Sequence, residues 1–318
     1  MDVICLGELL IDFIAEKAGC LEEVQTFNKF PGGAAGNIAV GVKKLGLKSG
    51  VISKVGKDPF GDFLIKTLAS YNVDISQIHQ DEKRKTGLAF VSLDKEGVPN
   101  YQFYRDLSAS MLLSPEEVKE DYIKQGRALY FSSISLVNEP FRSANYQAIQ
   151  FANKHSLIVA FDPNIRISLW ESEEEARREI KKVIGYIDVL KINKDELFFL
   201  ESRGKAEDLC TRLFKDNPNL KLIALTLGKE GALLMNSQGE SVWAKGLNVK
   251  VADTTGAGDA FTSALLSRLL KAKNLQEIEL AQLGHYANTA ASLIIQKPGV
   301  IFAMPTGMEI EAFLKQSV

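Results

Sequence analysis

The strongest constraint on what this chain can fold into is an alternation repeated along most of its length. Brief, nearly continuous apolar runs at residues 3–7, 50–55, 128–132, 157–162, 188–192 and 222–226 are separated by segments of helix length. A short run that is apolar at every position fits a strand covered on both faces, as in a parallel sheet flanked by helices. The separating segments carry helix starts. Ser114-Pro115-Glu116-Glu117 places a hydroxyl before proline, with Glu three residues beyond it, and Ser172-x-x-Glu175 repeats the spacing. Glu173/Arg177 and Glu174/Arg178 stand at i,i+4 and read as ion pairs on a solvated helix face. The alternation predicts an α/β domain with a doubly wound, mostly parallel sheet.

Two regions break the pattern. Residues 86–93 and 100–105 flank Asp94-Lys95-Glu96-Gly97, a turn-like tetrapeptide, and read as a β-hairpin. Residues 13–30 follow a strand without the periodicity of a helix. Together they predict a small antiparallel sheet, a lid formed by about 13–30 and 86–106 on a single domain spanning 1–318. No Pro-, Gly- or Ser-rich linker and no internal repeat divides the chain.

Composition narrows the function. A hydrophobic fraction of 46% and a charged fraction of 25% over 318 residues are those of a globular protein, which excludes a disordered or coiled-coil chain. Lys+Arg number 38 against 40 Asp+Glu, so nothing in the net charge of −2 favours nucleic acid or an anionic membrane surface, and neither is expected as a partner. Any anionic ligand must be held by a local device. Cys5, Cys20 and Cys210 are scattered, as are His79, His155 and His285, so a dedicated transition-metal centre is not expected. The N-terminus lacks a basic segment before an apolar one, and no apolar run approaches the roughly 18 residues of a membrane span, so the expected setting is the reducing cytoplasm.

The local device stands at Asp253-Thr254-Thr255-Gly256-Ala257-Gly258-Asp259-Ala260-Phe261, followed by an apolar helix-forming run. A small-residue turn opening a helix presents bare N–H groups at the positive end of the helix dipole, which suits an anion. Gly256 and Gly258 let the backbone approach a phosphate closely. Asp259 would repel that anion, and makes sense there if it takes a proton from a hydroxyl attacking the phosphorus. The bland alternative is an ordinary helix start with Asp in its first turn. Other nucleotide fingerprints fail: Phe261 stands where a dinucleotide motif needs glycine, and Gly41-x4-Gly46 is followed by a lysine out of register. A second glycine cluster, Pro31-Gly32-Gly33-Ala34-Ala35-Gly36-Asn37, opens another small-residue helix, and Asp12 after the first strand is placed to accept from sugar hydroxyls. Each alone is more often a turn residue; their coexistence with the Asp259 loop is what carries weight.

With these motifs in view, the chain resembles the ribokinase-like (PfkB) carbohydrate kinases over essentially its full length. The 253–261 segment matches that family's C-terminal signature. Gly32-Gly33 through Asn37 and Lys54-Val55-Gly56-Lys57-Asp58-Pro59-Phe60-Gly61 match the N-terminal one. Within the family the likeness is greatest to fructokinases, through Gly7-Glu8-Leu9-Leu10-Ile11-Asp12-Phe13, Phe103-Tyr104-Arg105, Ser132-Ser133-Ile134-Ser135-Leu136 and Asp162-Pro163-Asn164-Ile165-Arg166. The resemblance implies a ribokinase-like fold with Asp259 as catalytic base and the amides of Gly256, Ala257 and Gly258 as anion hole. It implies sugar contacts from Asp12, Gly32, Gly33, Asn37 and Arg166, with Arg105 on the lid. Asn193 and Glu196 match the element that organises Mg²⁺ and phosphate. Thr226, Gly228 and Gly231 match the turn beside ATP, and Asn288 the position beside adenine. Asp253, Thr255 and Gly299 resemble a monovalent-cation site, with K⁺ as the ion. Relatives often pair through the lid sheet, which implies a homodimer.

The expected reaction is therefore transfer of the γ-phosphoryl group from ATP, with Mg²⁺, to a sugar hydroxyl, O6 of fructose foremost. Asp259 is expected at an ordinary pKa of about 3.9, a weak base that suffices for a loose transition state. The rival acceptors are 2-keto-3-deoxygluconate, whose kinases share Asp-Pro-Asn-x-Arg, ribose and nucleosides. A catalytically dead sugar-binding scaffold is the rival of another class. Trp170, Phe198 and Phe199 are expected to pack, and His285 to be an ordinary helix histidine.

Overall fold

The computed structural model describes residues 1–17, 19–93, 99–272 and 278–316. The strands are β1 (Val3–Leu6), β2 (Leu10–Ala15), β3 (Phe27–Gly32), β4 (Ser49–Gly56), β5 (Asp74–Asp81), β6 (Gly87–Leu93), β7 (Pro99–Tyr104), β8 (Ala128–Ser132), β9 (Ile158–Asp162), β10 (Val189–Asn193), β11 (Leu222–Thr226), β12 (Gly231–Asn236) and β13 (Ser241–Lys245). Nine of them form one sheet in the order β13-β12-β11-β10-β9-β8-β1-β4-β5. It is parallel from β11 to β5, and β12 and β13 add antiparallel at one edge. All six apolar runs read from the sequence became strands of it. The antiparallel edge and β5 went unread: β5 is half-exposed along its length, so its pattern lacks the continuous apolar run that marked the others.

Helices cover both faces. α1 (Ala34–Lys44), α2 (Pro59–Ser70), α8 (Ala257–Lys271), α9 (Leu280–Ile294), α10 (Val300–Ala303) and α11 (Gly307–Gln316) bury Ile38, Leu64, Phe261, Leu283 and Ile310 on one side, with Val3, Cys5, Val51 and Ala224 of the sheet. α3 (Glu120–Ile123), α4 (Phe141–Lys154), α5 (Glu173–Ile184), α6 (Lys194–Glu201) and α7 (Ala206–Asp216) pack on the other, against Ile4, Leu6, Phe131 and Phe161. Alternate residues of one strand thus serve two cores, which is why the strands read as unbroken apolar runs. Each fully buried Leu, Ile or Phe contributes about 1.5–3 kcal/mol of transfer free energy to that arrangement. Trp170, Phe198 and Phe199 pack into the second core, as expected.

Both helix starts read from the sequence are present, though the first is cut short. Ser114-Pro115-Glu116-Glu117 forms its capping box, the Glu117 carboxylate accepting from the Ser114 N–H at 2.8 Å and meeting Lys54 at 2.9 Å, but it opens only a 3-10 turn, and α3 beyond it has four residues. At Ser172 the hydroxyl does accept from the Glu175 N–H at 3.1 Å, but the Glu175 carboxylate pairs with Arg142 at 2.8 Å. The i,i+4 pairs of α5 do not form: Arg177 donates to the Phe199 carbonyl and Arg178 to Glu179.

The remaining four strands form a small sheet ordered β3-β2-β6-β7. β2 pairs antiparallel with β3 but parallel with β6, so this sheet is mixed, not purely antiparallel. The turn read at 94–97 lies outside the described residues. Thr86 anchors the sheet: its N–H and hydroxyl both bond Asp58 at 2.9 Å, while Asp58 also caps α2 by accepting from Phe60 and Gly61. That dual use explains the Asp58-Pro59 pair, with proline at the first helical position. Among the described residues no helix is long and apolar enough to cross a membrane.

Candidate active site

Strand order reverses at β1, whose neighbours are β4 on one side and β8 on the other. Open α/β sheets hold ligands in the crevice at such a reversal, outside the carboxyl ends of the strands. A cleft of about 440 Å³ lies there. Glu8 follows β1, Asp162 ends β9, Asn193 ends β10 and Thr226 ends β11; Gly33, Ala34 and Asn37 come from the start of α1, and Gly256–Asp259 from the start of α8. The small sheet contributes Leu10 and Asp12 from β2, and Tyr101 and Phe103 from β7.

The two glycine-rich segments meet at one hydrogen bond. Asn37 donates through Nδ2 to Asp259 Oδ2 at 2.7 Å, across 222 residues of chain. One helical turn further along each helix, Gly41 faces Ser263, and a Cβ at Gly41 would collide with that serine. Gly41, part of the failed nucleotide fingerprint, is therefore the close-approach point that brings α1 against α8. Gly256 precedes α8 with φ of 81°, a left-handed conformation that glycine adopts without strain.

Asp259 opens part of its surface to the cleft but sits on its floor, and loss of bulk water pushes its pKa up to about 7. The Asn37 hydrogen bond and the Lys191 and Arg166 charges pull the other way, while Asp162 adds to the rise. The expectation of an ordinary value is thus overturned by desolvation. Asp12 is likewise pushed up to about 7, by burial and then by the charges of Glu8 and Asp259, with Arg166 opposing.

Beneath the α8 loop lies a lysine that the sequence reading passed over. Lys191 Nζ pairs with Asp162 Oδ2 at 3.0 Å, and both side chains are buried. Burial disfavours the ammonium, but Asp162, Glu196 and Asp259 outweigh it and hold its pKa above the ordinary value. A Cβ on Gly258 would stand 3.0 Å from that nitrogen, so the ammonium occupies the space beside the loop where a side chain would otherwise go. The available signal was the residue type: a lysine inside the apolar run 188–192 has to be paired or functional.

Other expected residues fall less directly on the cleft. Gly32 does not line it, but a Cβ there would collide with the Asp12 carboxylate, so the glycine makes room for that side chain. Glu196 is buried and spends both oxygens on backbone, accepting from Asn193 N–H at 3.0 Å and Ile165 N–H at 2.9 Å; Asn193 accepts in turn from the Glu196 N–H at 2.9 Å. This capping box aims Asn193 into the cleft and ties the Asp162–Arg166 turn to α6. Arg166 does line the cleft, with its guanidinium 5.6 Å from the Tyr101 ring centroid. Arg105 does not: it is 3% exposed, against Met111 behind the end of β7.

Thr226 and Gly228 line the cleft's other end, whereas Gly231 starts β12 with φ of 104°. Asn288 is buried and donates to the carbonyls of Ala244 and Lys245 at 2.9 and 3.2 Å, stapling α9 to the end of β13. Asp253 accepts from the Thr255 N–H at 2.9 Å, and its own N–H bonds Ile295 at 3.1 Å. Gly299 packs against Phe30 of β3, and its neighbour Val300 abuts Gly256. Asp253 and Gly299 thus flank the α8 loop outside the cleft, while Thr255 lines it. His285 is exposed.

The chain is similar to known proteins over nearly its whole length. The model of the pfkB family of carbohydrate kinases matches residues 1–307. Fructokinase-2 of Solanum lycopersicum is 37% identical over 316 residues, covering 98% of this chain and 96% of the relative. A double-mutant fructokinase from Vibrio cholerae O395 in its fructose, ADP and potassium ion bound form superposes with a TM-score of 0.88, at 30% identity over 99% of this chain and 98% of the other. An E. coli protein solved in complex with ATP and Mg²⁺ gives a TM-score of 0.89, at 26% identity over 99% of each chain.

Proposed function

The chain belongs to the pfkB family of carbohydrate kinases, and on that footing we propose that it is an ATP-dependent sugar kinase acting on D-fructose to give fructose 6-phosphate. The observation that carries this reading is the Asn37–Asp259 bond at the head of α8, beside the Gly256–Gly258 amides and above Lys191. Asn37 fixes the direction of the carboxylate. With a pKa near neutrality, Asp259 is a stronger base than a surface aspartate yet still ionised in good part at working pH. It removes the proton from the attacking hydroxyl as the new O–P bond forms and the bond to ADP breaks. The Gly256 and Gly258 amides, the α8 dipole and the Lys191 ammonium face the charge gathering on the transferring group, whereas the Ala257 N–H is turned to the Thr254 carbonyl at 3.3 Å in the unliganded fold.

ATP extends past Asn193 towards Thr226 and Gly228, with Gly231 shaping that turn and Asn288 holding the α9 side of it. Mg²⁺ needs few protein ligands when it rides on phosphates. The buried Asp162 Oδ1, without a hydrogen-bond partner among the described residues, fits such an ion, which would supply charge neutralisation there. The loop of Asp253 and Thr255 with Gly299 is the candidate K⁺ site. The small sheet acts as the lid, Tyr101 and Phe103 facing the sugar end and excluding water as competing acceptor. Its Phe27, Phe90 and largely exposed Tyr104 support pairing with a second copy.

A sugar acid is the second reading, favoured by Arg166. Against it, Glu8, Asp12 and Asp259 share the same end of the cleft, and three carboxyls favour hydroxyl donors over a carboxylate. A coupled ADP-release assay with fructose, 2-keto-3-deoxygluconate, ribose and a nucleoside tests the choice. Fructose should give the highest kcat/KM; preference for the acid would overturn the acceptor, and no sugar-dependent ADP release would return the inactive scaffold.

A further inference from the structure

Among the described residues, Glu8 is the one acid lining the cleft to which neither the resemblance nor the reaction scheme gives a task of its own. It follows β1 directly, lines the cleft and is only 3% exposed. Its Oε2 has no hydrogen-bond partner among the described residues. The main chain holds it in place, because a Cβ on Gly33 would collide with the Glu8 carbonyl, so the turn into α1 presses directly on this residue. Around its side chain stand Asp12 and two guanidinium groups, Arg105 and Arg166, whose charges oppose the upward push of burial on its pKa. Among the described residues neither arginine forms an ion pair with it: Arg105 sets Nη2 against Met111 and leaves Nη1 without a partner, and Arg166 donates to its neighbour's carbonyl at 3.1 Å.

A buried carboxyl oxygen left without a donor is costly, and such atoms persist where a ligand supplies the missing bond. The donor required here is neutral and small, because an anionic group would meet the Asp12 carboxyl beside it. A polyol hydroxyl satisfies both conditions. We propose that Glu8 accepts a hydrogen bond from a non-reacting hydroxyl of the bound sugar and is thereby a specificity-determining residue that selects against deoxygenated acceptors. A site built around such a bond rejects the analogue lacking the hydroxyl, because the buried acceptor is then left unpaired. This deepens the kinase reading and rests on it.

The test crosses enzyme variants with substrate analogues. Parent enzyme and Glu8→Gln are assayed on fructose and on its 1-, 3- and 4-deoxy analogues, all of which keep the hydroxyl at carbon 6. In the parent, one analogue should lose about 10–10²-fold in kcat/KM, the range of a hydrogen bond to a charged group. In Glu8→Gln the fructose value should fall by a similar factor while that analogue changes little, and KM for ATP should stay unchanged. An equal loss on every acceptor would mark Glu8 as merely structural and overturn the proposal, as would no loss on any. A parent that treats all three analogues like fructose would overturn it without recourse to the variant, whether or not Glu8→Gln folds. A parent with no sugar-dependent turnover would instead sink the kinase reading, and this one with it.

Discussion

Asp259 and Asp12 show how a single residue's environment sets its chemistry. Both are common carboxylates in the sequence, and both hold their protons to about pH 7 in the unliganded fold because of burial and neighbouring acids. Their folded pKa values lie above those of the unfolded chain, so between about pH 4 and 7 the folded state binds more protons. Stability from this source is complete below about pH 4 and is lost as pH rises through 7. Asp259→Asn removes one such group while leaving an oxygen to accept from Asn37. Thermal melts of the unliganded variant should show it more stable than the parent at about pH 8, by on the order of 2 kcal/mol, with the gain shrinking towards zero near pH 4. A gain independent of pH would refute desolvation as the cause. The type and place of Asp259 were legible in its motif; its raised pKa was not, since burial on the cleft floor comes from segments far away in sequence.

At the scale of elements, helix starts and strand ends do the positioning. The turn from β3 into α1 is among the tightest of these, with Gly33 at φ of 100° against the Glu8 carbonyl. Gly46, which follows α1, has a comparable φ of 87° but open space within 4 Å of a built Cβ. Gly33→Ala should therefore lose about 3 kcal/mol or more and most of its activity, whereas Gly46→Ala should cost about 1 kcal/mol, the strain of a left-handed alanine alone. Chemical denaturation of the pair checks this, and equal costs would contradict it. The parallel strands were readable because their two buried faces leave an unbroken apolar run. On α5 the expected i,i+4 pairs give way because their arginines find other acceptors, Arg177 the Phe199 carbonyl and Arg178 Glu179, while Glu175 is drawn off to Arg142. Local spacing cannot register such competition.

At the scale of the whole molecule, the cleft is assembled from contacts that no local pattern encodes. Lys191 meets Asp162 because β10 and β9 pair in a register that sets Leu190 beside Phe161, and Asn37 meets Asp259 because Gly41 lets two helices touch. The fold class and the two glycine loops were legible, the first as a period and the second as motifs. Lys191, Tyr101 and the free oxygen of Glu8 were not, because their significance lies in which neighbours they acquire or lack. The proposed reaction turns on proton removal by Asp259. The most direct test is the turnover of Asp259→Asn on the preferred sugar, with ATP and sugar binding measured in parallel. The account predicts both ligands bound near parent affinity and kcat lowered by about 10²–10⁴, the range of a general base. A variant that binds both and loses less than about tenfold in kcat would contradict it.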